Sequence, residues 1–157
     1  MRNLHILRPI GTVALCAALG ITLLGADLGD SASPADTQFA HSAMHVLLQS
    51  VSDANVAESG GDGHVKSVAT SVQSDEVAIG SQLASLASYY GIPVSTQAPK
   101  ATTDASGYEA DQAQKLHTLI DLFQQEKEGG GGAQMRSFAG QSLPILEKDL
   151  HAVQGAQ

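Results

Sequence analysis

The chain has 157 residues, 43% of them hydrophobic and 4% aromatic, with no tryptophan and a formal net charge of −8. That length suits one domain behind an N-terminal segment, and an aliphatic core with few rings favours close-packed helices over a sandwich. The negative charge argues against nucleic acid, whose phosphates need a cationic surface, and against an anionic membrane surface.

Arg2 and Arg8 precede an apolar run from Ile10 to Leu24, interrupted only by Gly and Thr. This reads as a secretory signal: a basic start, then a short greasy stretch. Asp27 and Asp30 spoil the small-residue pattern of a cleavage site, which leaves an uncleaved anchor as the alternative. Cys16 is the single cysteine, so the folded part has no disulfide. It follows Leu15, too large for the residue that usually precedes a lipid-modified cysteine. Residues 1–33 are therefore read as signal or membrane anchor plus linker, and residues 34–157 as the folded domain. Contact with a membrane is expected only through residues 1–25, if the signal stays.

Asp36 or Thr37 can cap a first helix that runs to about Glu58, with Phe39, Ala40, Ala43, Leu47, Val51 and Ala54 on its apolar face. Ser50 lies at the edge of that face. His41 and His45 lie away from it and read as a solvated pair. Gly60, Gly61 and Gly63 break the chain, and Asp62 can cap a second helix from about His64 to Tyr90. Val65, Val68, Ala69, Val72, Ile79, Leu83, Leu86, Ala87 and Tyr90 form its stripe at spacings of three and four. Glu76 sits in that stripe, where an apolar residue is expected. Gly91 and Pro93 end the helix.

Ser106 and Glu109 have the spacing of a capping box for a third helix, whose face is Ala113, Leu116, Leu119, Ile120 and Phe123. The glycines from Gly129 to Gly132 follow. No strand precedes them and no Lys-Ser or Lys-Thr comes after, so they read as a turn between helices and not as a phosphate cradle. A fourth helix carries Met135, Phe138, Ala139, Leu146, Leu150 and Val153, and Pro144 predicts a kink or short break in it. Four amphipathic helices without a strand pattern predict an all-α, antiparallel up-down-up-down four-helix bundle.

Several short motifs carry a family resemblance when taken in order. They are Phe39, then Val65-Lys66-Ser67-Val68-Ala69, then Gly80-Ser81-Gln82-Leu83 with Leu86-Ala87. His117, Leu122-Phe123 with Glu126, Phe138-Ala139 and Leu143-Pro144-Ile145-Leu146 follow. From about Asp36 to Val153 the chain resembles the bacterial exported family called domain of unknown function 4142. The resemblance implies a ferritin-like bundle in the periplasm, the outer membrane or elsewhere in the envelope, and it brings no established activity. An inner-membrane anchor facing the periplasm is the alternative placement. Where the family tends to have Asp-His in the second helix, this chain has Asp75-Glu76. Where it has a histidine after the Leu-Pro step, this chain has Asp149.

In an up-down-up-down bundle Glu76, His117 and Asp149 fall in one band only about 6 Å deep, at about 1.5 Å of rise per residue. Glu76 and Asp149 lie within their stripes and His117 on the shoulder of its own. The three are the candidate metal site, and carboxylates with imidazole suit Fe, Mn or Zn. A di-iron centre needs Glu-x-x-His on two helices, which no helix here carries. The other expectation for these acids is solvation or pairing with a lysine. No nucleophile motif or oxyanion turn marks an enzyme. The leading expectation is a non-enzymatic exported helical domain, without cofactor, that contacts another envelope protein. Val77 and Leu122 lie off the stripes, where an exposed apolar patch would form.

Overall fold

The computed structural model describes residues 31–155, and the signal or anchor reading of residues 1–30 lies outside them. Four helices make up the described chain, with no strand among its residues: α1 (Pro34–Gly60), α2 (Gly63–Tyr89), α3 (Tyr108–Gly129) and α4 (Ala133–Gly155).

The local start signals were partly misplaced by the sequence. Ser33, not Asp36 or Thr37, caps α1, with Pro34 in the first turn. Asp36 N donates to Ser33 Oγ at 3.1 Å, and Ser33 N donates to Asp36 Oδ2 at 2.6 Å. Asp36 is thus the third residue of a capping box. Asp62 caps α2 as expected, accepting from His64 N and Val65 N at 2.9 and 3.0 Å. The expected Ser106–Glu109 box does not form. Asp104 takes the Ser106 hydroxyl at 2.7 Å and the Gly107 amide at 2.9 Å, and α3 begins only at Tyr108. Pro144 lies inside α4, which runs through it without a break.

The chain path departs from the expected up-down-up-down order. Residues 90–107 do not form a simple turn; they climb along α1. The His41 ring Nε2 donates to Pro93 O at 2.8 Å, Ser52 Oγ to Pro99 O at 2.8 Å, and Thr102 N to Asp53 Oδ1 at 2.6 Å. A dozen extended residues cover about 40 Å, roughly the height of a helix of 27 residues. The strap therefore returns the chain to the upper end, where Tyr108 packs among Ala54, Ala57 and Ala69. From there α3 descends, as α2 does, and α4 climbs back.

The order is up, down, down, up, with α1 beside α2 and α3, and α4 beside α3 and α2. Every adjacent pair is still antiparallel. The two glycine turns, expected at one end, lie at opposite ends.

At the lower end three rings meet: Phe39 and Phe123 at 5.0 Å edge to face, and Phe123 and Phe138 at 5.6 Å. Leu47, Val72, Ile79, Leu83, Leu116, Leu119 and Leu146 continue the core upward. The upper end is built from alanines closed around one tyrosine.

Candidate functional site

Midway up the bundle the aliphatic core is interrupted by Ser50 from α1, Glu76 from α2 and Gln112 from α3, all fully buried. Ser50 Oγ lies 2.5 Å from Glu76 Oε2 and 2.7 Å from Gln112 Oε1, and Gln112 Nε2 donates to Glu76 Oε1 at 2.8 Å. The three side chains close a ring with three links, and each link needs one hydrogen. Gln112 supplies one from its amide. Ser50 has a single hydroxyl proton, and the Gln112 carbonyl can only accept it. The third hydrogen must then sit on Glu76, whose carboxyl donates to Ser50. All three links are made at once only when Glu76 is neutral.

Electrostatics agree. Burial pushes the Glu76 carboxyl up to about 8; the bonds from Ser50 and Gln112 pull the other way, and the charge of Asp149 adds to the rise. A carboxyl surrounded by apolar side chains with no cation against it keeps its proton.

Asp149, from α4, is the second buried acid at this level, 1% exposed. Its Oδ1 lies 3.3 Å from Lys148 Nζ, yet neither of its oxygens accepts a well-formed hydrogen bond. The Lys148 ammonium donates instead to Asp75 Oδ2 at 2.5 Å. Burial raises Asp149 to about 6, Lys148 opposes the rise, and the Asp75 charge adds to it. The third sequence candidate, His117, does not join them. It faces solvent on the α3–α4 seam, where Gln154 Nε2 lies 3.3 Å from its Nε2. Glu76 and Asp149 therefore come inside and His117 stays out. Among the described residues no group of three or more His, Cys, Asp or Glu is arranged to hold a metal ion.

Three further carboxylates, Asp53, Asp36 and Glu126, are buried. Asp53, on α1, binds the strap and α3 at once. It accepts from Thr102 N at 2.6 Å, Thr103 N at 3.2 Å and Lys115 Nζ at 2.8 Å. Burial works against its ionisation, but Lys115 and the two amides outweigh it and hold the carboxyl below its ordinary value. Asp36 does the same at the base, where Gly131 N donates at 2.9 Å and Gly132 N at 3.2 Å to its Oδ1. Burial again opposes ionisation and the bonds from Ser33, Glu126 and Gly132 prevail, so Asp36 lies low.

The Glu126 carboxyl lies beside Asp36 with its Oε1 buried and without a hydrogen-bond partner, and burial together with that neighbouring acid lifts it to about 8. Of these two neighbouring acids Glu126, the raised one, keeps a proton while Asp36 is ionised. A Cβ on Gly130 would collide with Glu126 Oε1, and one on Gly131 would lie 2.6 Å from Ser33 Cβ. The glycine run is therefore a close-packed turn seated on Asp36 and Glu126, not an anion cradle.

Stripe spacing, the signal that marked Glu76, also marks Gln112 and Glu126. Gln112 lies one turn before Leu116, and Glu126 lies three residues after Phe123. Asp53 carries no such mark, because its partners come from the strap.

His41 and His45 lie beside a groove between α1 and the strap, with Met44, Leu48, Pro93 and Pro99. His41 is a tether to the Pro93 carbonyl and not merely a solvated residue. Val77 and Ile145 are exposed at 49% and 37%, while Leu122 packs partly against the core.

The fold and site define a helical bundle with one crossover strap and a neutral polar layer in its middle. Comparison with protein-family models, with curated proteins and with solved structures finds no match. Among the described residues no helix is long and apolar enough to cross a membrane.

Proposed function

We propose that this chain is an exported, ferritin-like helical domain of the bacterial envelope whose role is contact with another envelope protein rather than catalysis. The observation that carries the reading is the closed ring of Ser50, Glu76 and Gln112. In ferritin-like bundles the inward-facing polar side chains at mid-height are where metals and substrates are held. Here three of the four helices spend those positions on one another, and both Glu76 oxygens are engaged. A core that uses its polar groups to fix helix register serves a scaffold. The single long crossover supports the ferritin-like assignment, since that class is distinguished by one such connection. Arg2, Arg8 and the apolar run to Leu24 support export, and the ordered motifs from Phe39 to Leu146 support the resemblance to domain of unknown function 4142.

The test is cross-linking of the full-length chain in intact cells, followed by separation of soluble, inner-membrane and outer-membrane fractions. The reading expects the chain in an envelope fraction with one recurrent cross-linked protein. Recovery in the cytosol would end it.

One observation favours a second reading, a single-metal bundle protein: the buried Asp149 carboxylate has no hydrogen-bond donor. Fe(II), Mn(II) or Zn(II) would be held by Asp149 with Glu76, and His117 would have to turn inward to complete the set. Titration of the chain with each metal decides it. Stoichiometric heat that disappears in Asp149→Asn supports this reading, and no heat with any of the three ends it.

A further inference from the structure

Two places in this molecule join separate helices through a proton rather than through an ion pair. The first is the ring at Glu76, which links α1, α2 and α3. The second is the Asp36–Glu126 pair beneath the glycine turn, where Asp36 at the start of α1 takes the Gly131 and Gly132 amides and the Glu126 carboxyl at the end of α3 lies against Gly130. We propose that these two sites form a proton-operated lock: with both protons in place the helices are held together, and their release parts the bundle at its middle and its base.

The charge environment gives the lock its direction. Around Glu76, α1 contributes only the neutral Ser50. Gln112, Lys115 and Tyr108 come from α3, Asp149 comes from α4, and Asp75 is its neighbour on α2. Lys115 is already committed to Asp53 and Asp111. Lys148 from α4 stands between Asp75 and Asp149 and is bonded to Asp75, which leaves the Asp149 charge raising Glu76. Around Glu126 stand Asp36 from α1 and Arg136 from α4, with the Tyr90 hydroxyl from the end of α2 close by at Gly132. Arg136 Nη1 donates to the Gly130 and Gly131 carbonyls, both at 2.7 Å. Neither site has a free cation ready to receive the carboxylate that forms when the proton leaves.

At Glu76 the loss of the proton leaves two acceptors, Glu76 Oε2 and Gln112 Oε1, competing for the single Ser50 hydroxyl hydrogen. At Glu126 it sets two carboxylates side by side. At Glu76 one of the three links is lost, and at Glu126 the contact becomes repulsive.

The sign follows from linkage. Both folded values, about 8, stand above the ordinary 4.5. Between those values the folded chain binds more protons than the unfolded one, so stability falls as pH rises. The stabilisation is whole below about pH 4.5 and is gone once pH passes about 8. Asp149, raised to about 6, completes its own loss earlier. The interval from about pH 7 to 9 therefore isolates the two lock sites.

The experiment is thermal unfolding of the full-length chain, followed by circular dichroism at steps from about pH 5 to 9, alongside the double variant Glu76→Gln, Glu126→Gln. Glutamine keeps the shape and the donor of a protonated carboxyl and cannot ionise. The wild-type Tm is expected to drop by about 10 °C between about pH 7 and 9, while the double variant stays within a few degrees. A wild-type Tm that is level or rising over that interval, or an equal drop in the double variant, overturns the proposal. If the double variant does not fold, the infrared spectrum of the wild type decides. A carbonyl band of protonated carboxyl at about pH 7, fading by about pH 9, supports the lock, and its absence at about pH 7 overturns it.

Discussion

Asp53 and Glu76 are both 0% exposed, both sit on the α1–α2–α3 side of the bundle, and they end in opposite charge states. Asp53 is supplied with two backbone amides and a lysine, and it stays ionised below its ordinary value. Glu76 is supplied with one hydroxyl and one side-chain amide, and it keeps its proton. Burial penalises the charged form of both. What separates them is the number and the charge of the donors within reach. Asp53 is thus an electrostatic latch and Glu76 a neutral hydrogen-bonding residue, although sequence alone shows each as an acid in a helix.

The sharpest way to break this comparison is to remove the charge of each while keeping its shape. Asp53→Asn leaves Lys115 with only Asp111 and sets an NH2 group against the Lys115 ammonium where Oδ2 accepted, while the amide oxygen can still take the Thr102 and Thr103 N–H groups. The expected loss is about 3 kcal/mol in chemical denaturation, as for one partner removed from a buried ion pair. The strap is tied there, so hydrogen exchange should quicken from residue 99 to 104 before it quickens in the helices. Glu76→Gln under the same conditions, near pH 6, is expected to cost less than about 1 kcal/mol, because nothing ionised is lost. Equal losses in the two variants would show that burial, and not the donor supply, governs both sites.

Half of this contrast was legible in the sequence. Glu76 stands out because a helix stripe has a fixed period and a carboxylate violates it. The same rule picks out Gln112, four residues before Leu116, so the ring was readable in principle from three interrupted stripes. The pairing of the ring was not readable, because it depends on chain direction. Residues 92–105 look like a long loop by composition, and nothing local says whether such a loop turns or climbs. The decision is made by Asp53 catching Thr102 and Thr103, by Ser52 catching Pro99 and by His41 catching Pro93, all across some fifty positions of sequence. Those bonds are what reverse α3 and α4 relative to the simplest bundle. They also carry the two glycine turns to opposite ends, which removes the premise on which the three-residue metal band was counted.

Asp149 extends the comparison to a carboxylate with no hydrogen-bond donor. It is as buried as the other two, its lysine neighbour bonds to Asp75 instead, and its rise to about 6 leaves it ionised above neutrality with only the Lys148 charge at 3.3 Å in partial compensation. Asp149→Asn should therefore stabilise the protein, by about 1–2 kcal/mol at about pH 8, after discounting for the attraction lost to Lys148. A raised folded value means that the wild type loses stability as pH climbs from about 3.8 through about 6, and asparagine has no such loss. The gain should thus vanish near pH 4, which denaturation curves at the two pH values can measure. A loss at about pH 8 would mean that the carboxylate has an attractive partner, and a bound cation would be the first to seek.

His117 sets the lower limit of the scale. It occupies the shoulder of its stripe, one turn after Ala113, where Glu76 lies within its own. Yet a shoulder position is decided by the neighbouring helix, not by the residue's own. In α3 the sides turned to α1 and α4 are filled by Leu116, Leu119 and Phe123, so the imidazole is left on the outer seam with Gln154. His117→Ala should change stability by no more than about 0.5 kcal/mol at any pH between 5 and 9, as for a surface residue with one weak polar contact. A larger effect that appears only with added Zn(II) or Fe(II) would place the imidazole inside a ligand set, and it would give back to the metal reading the one member that the folded chain leaves at the surface.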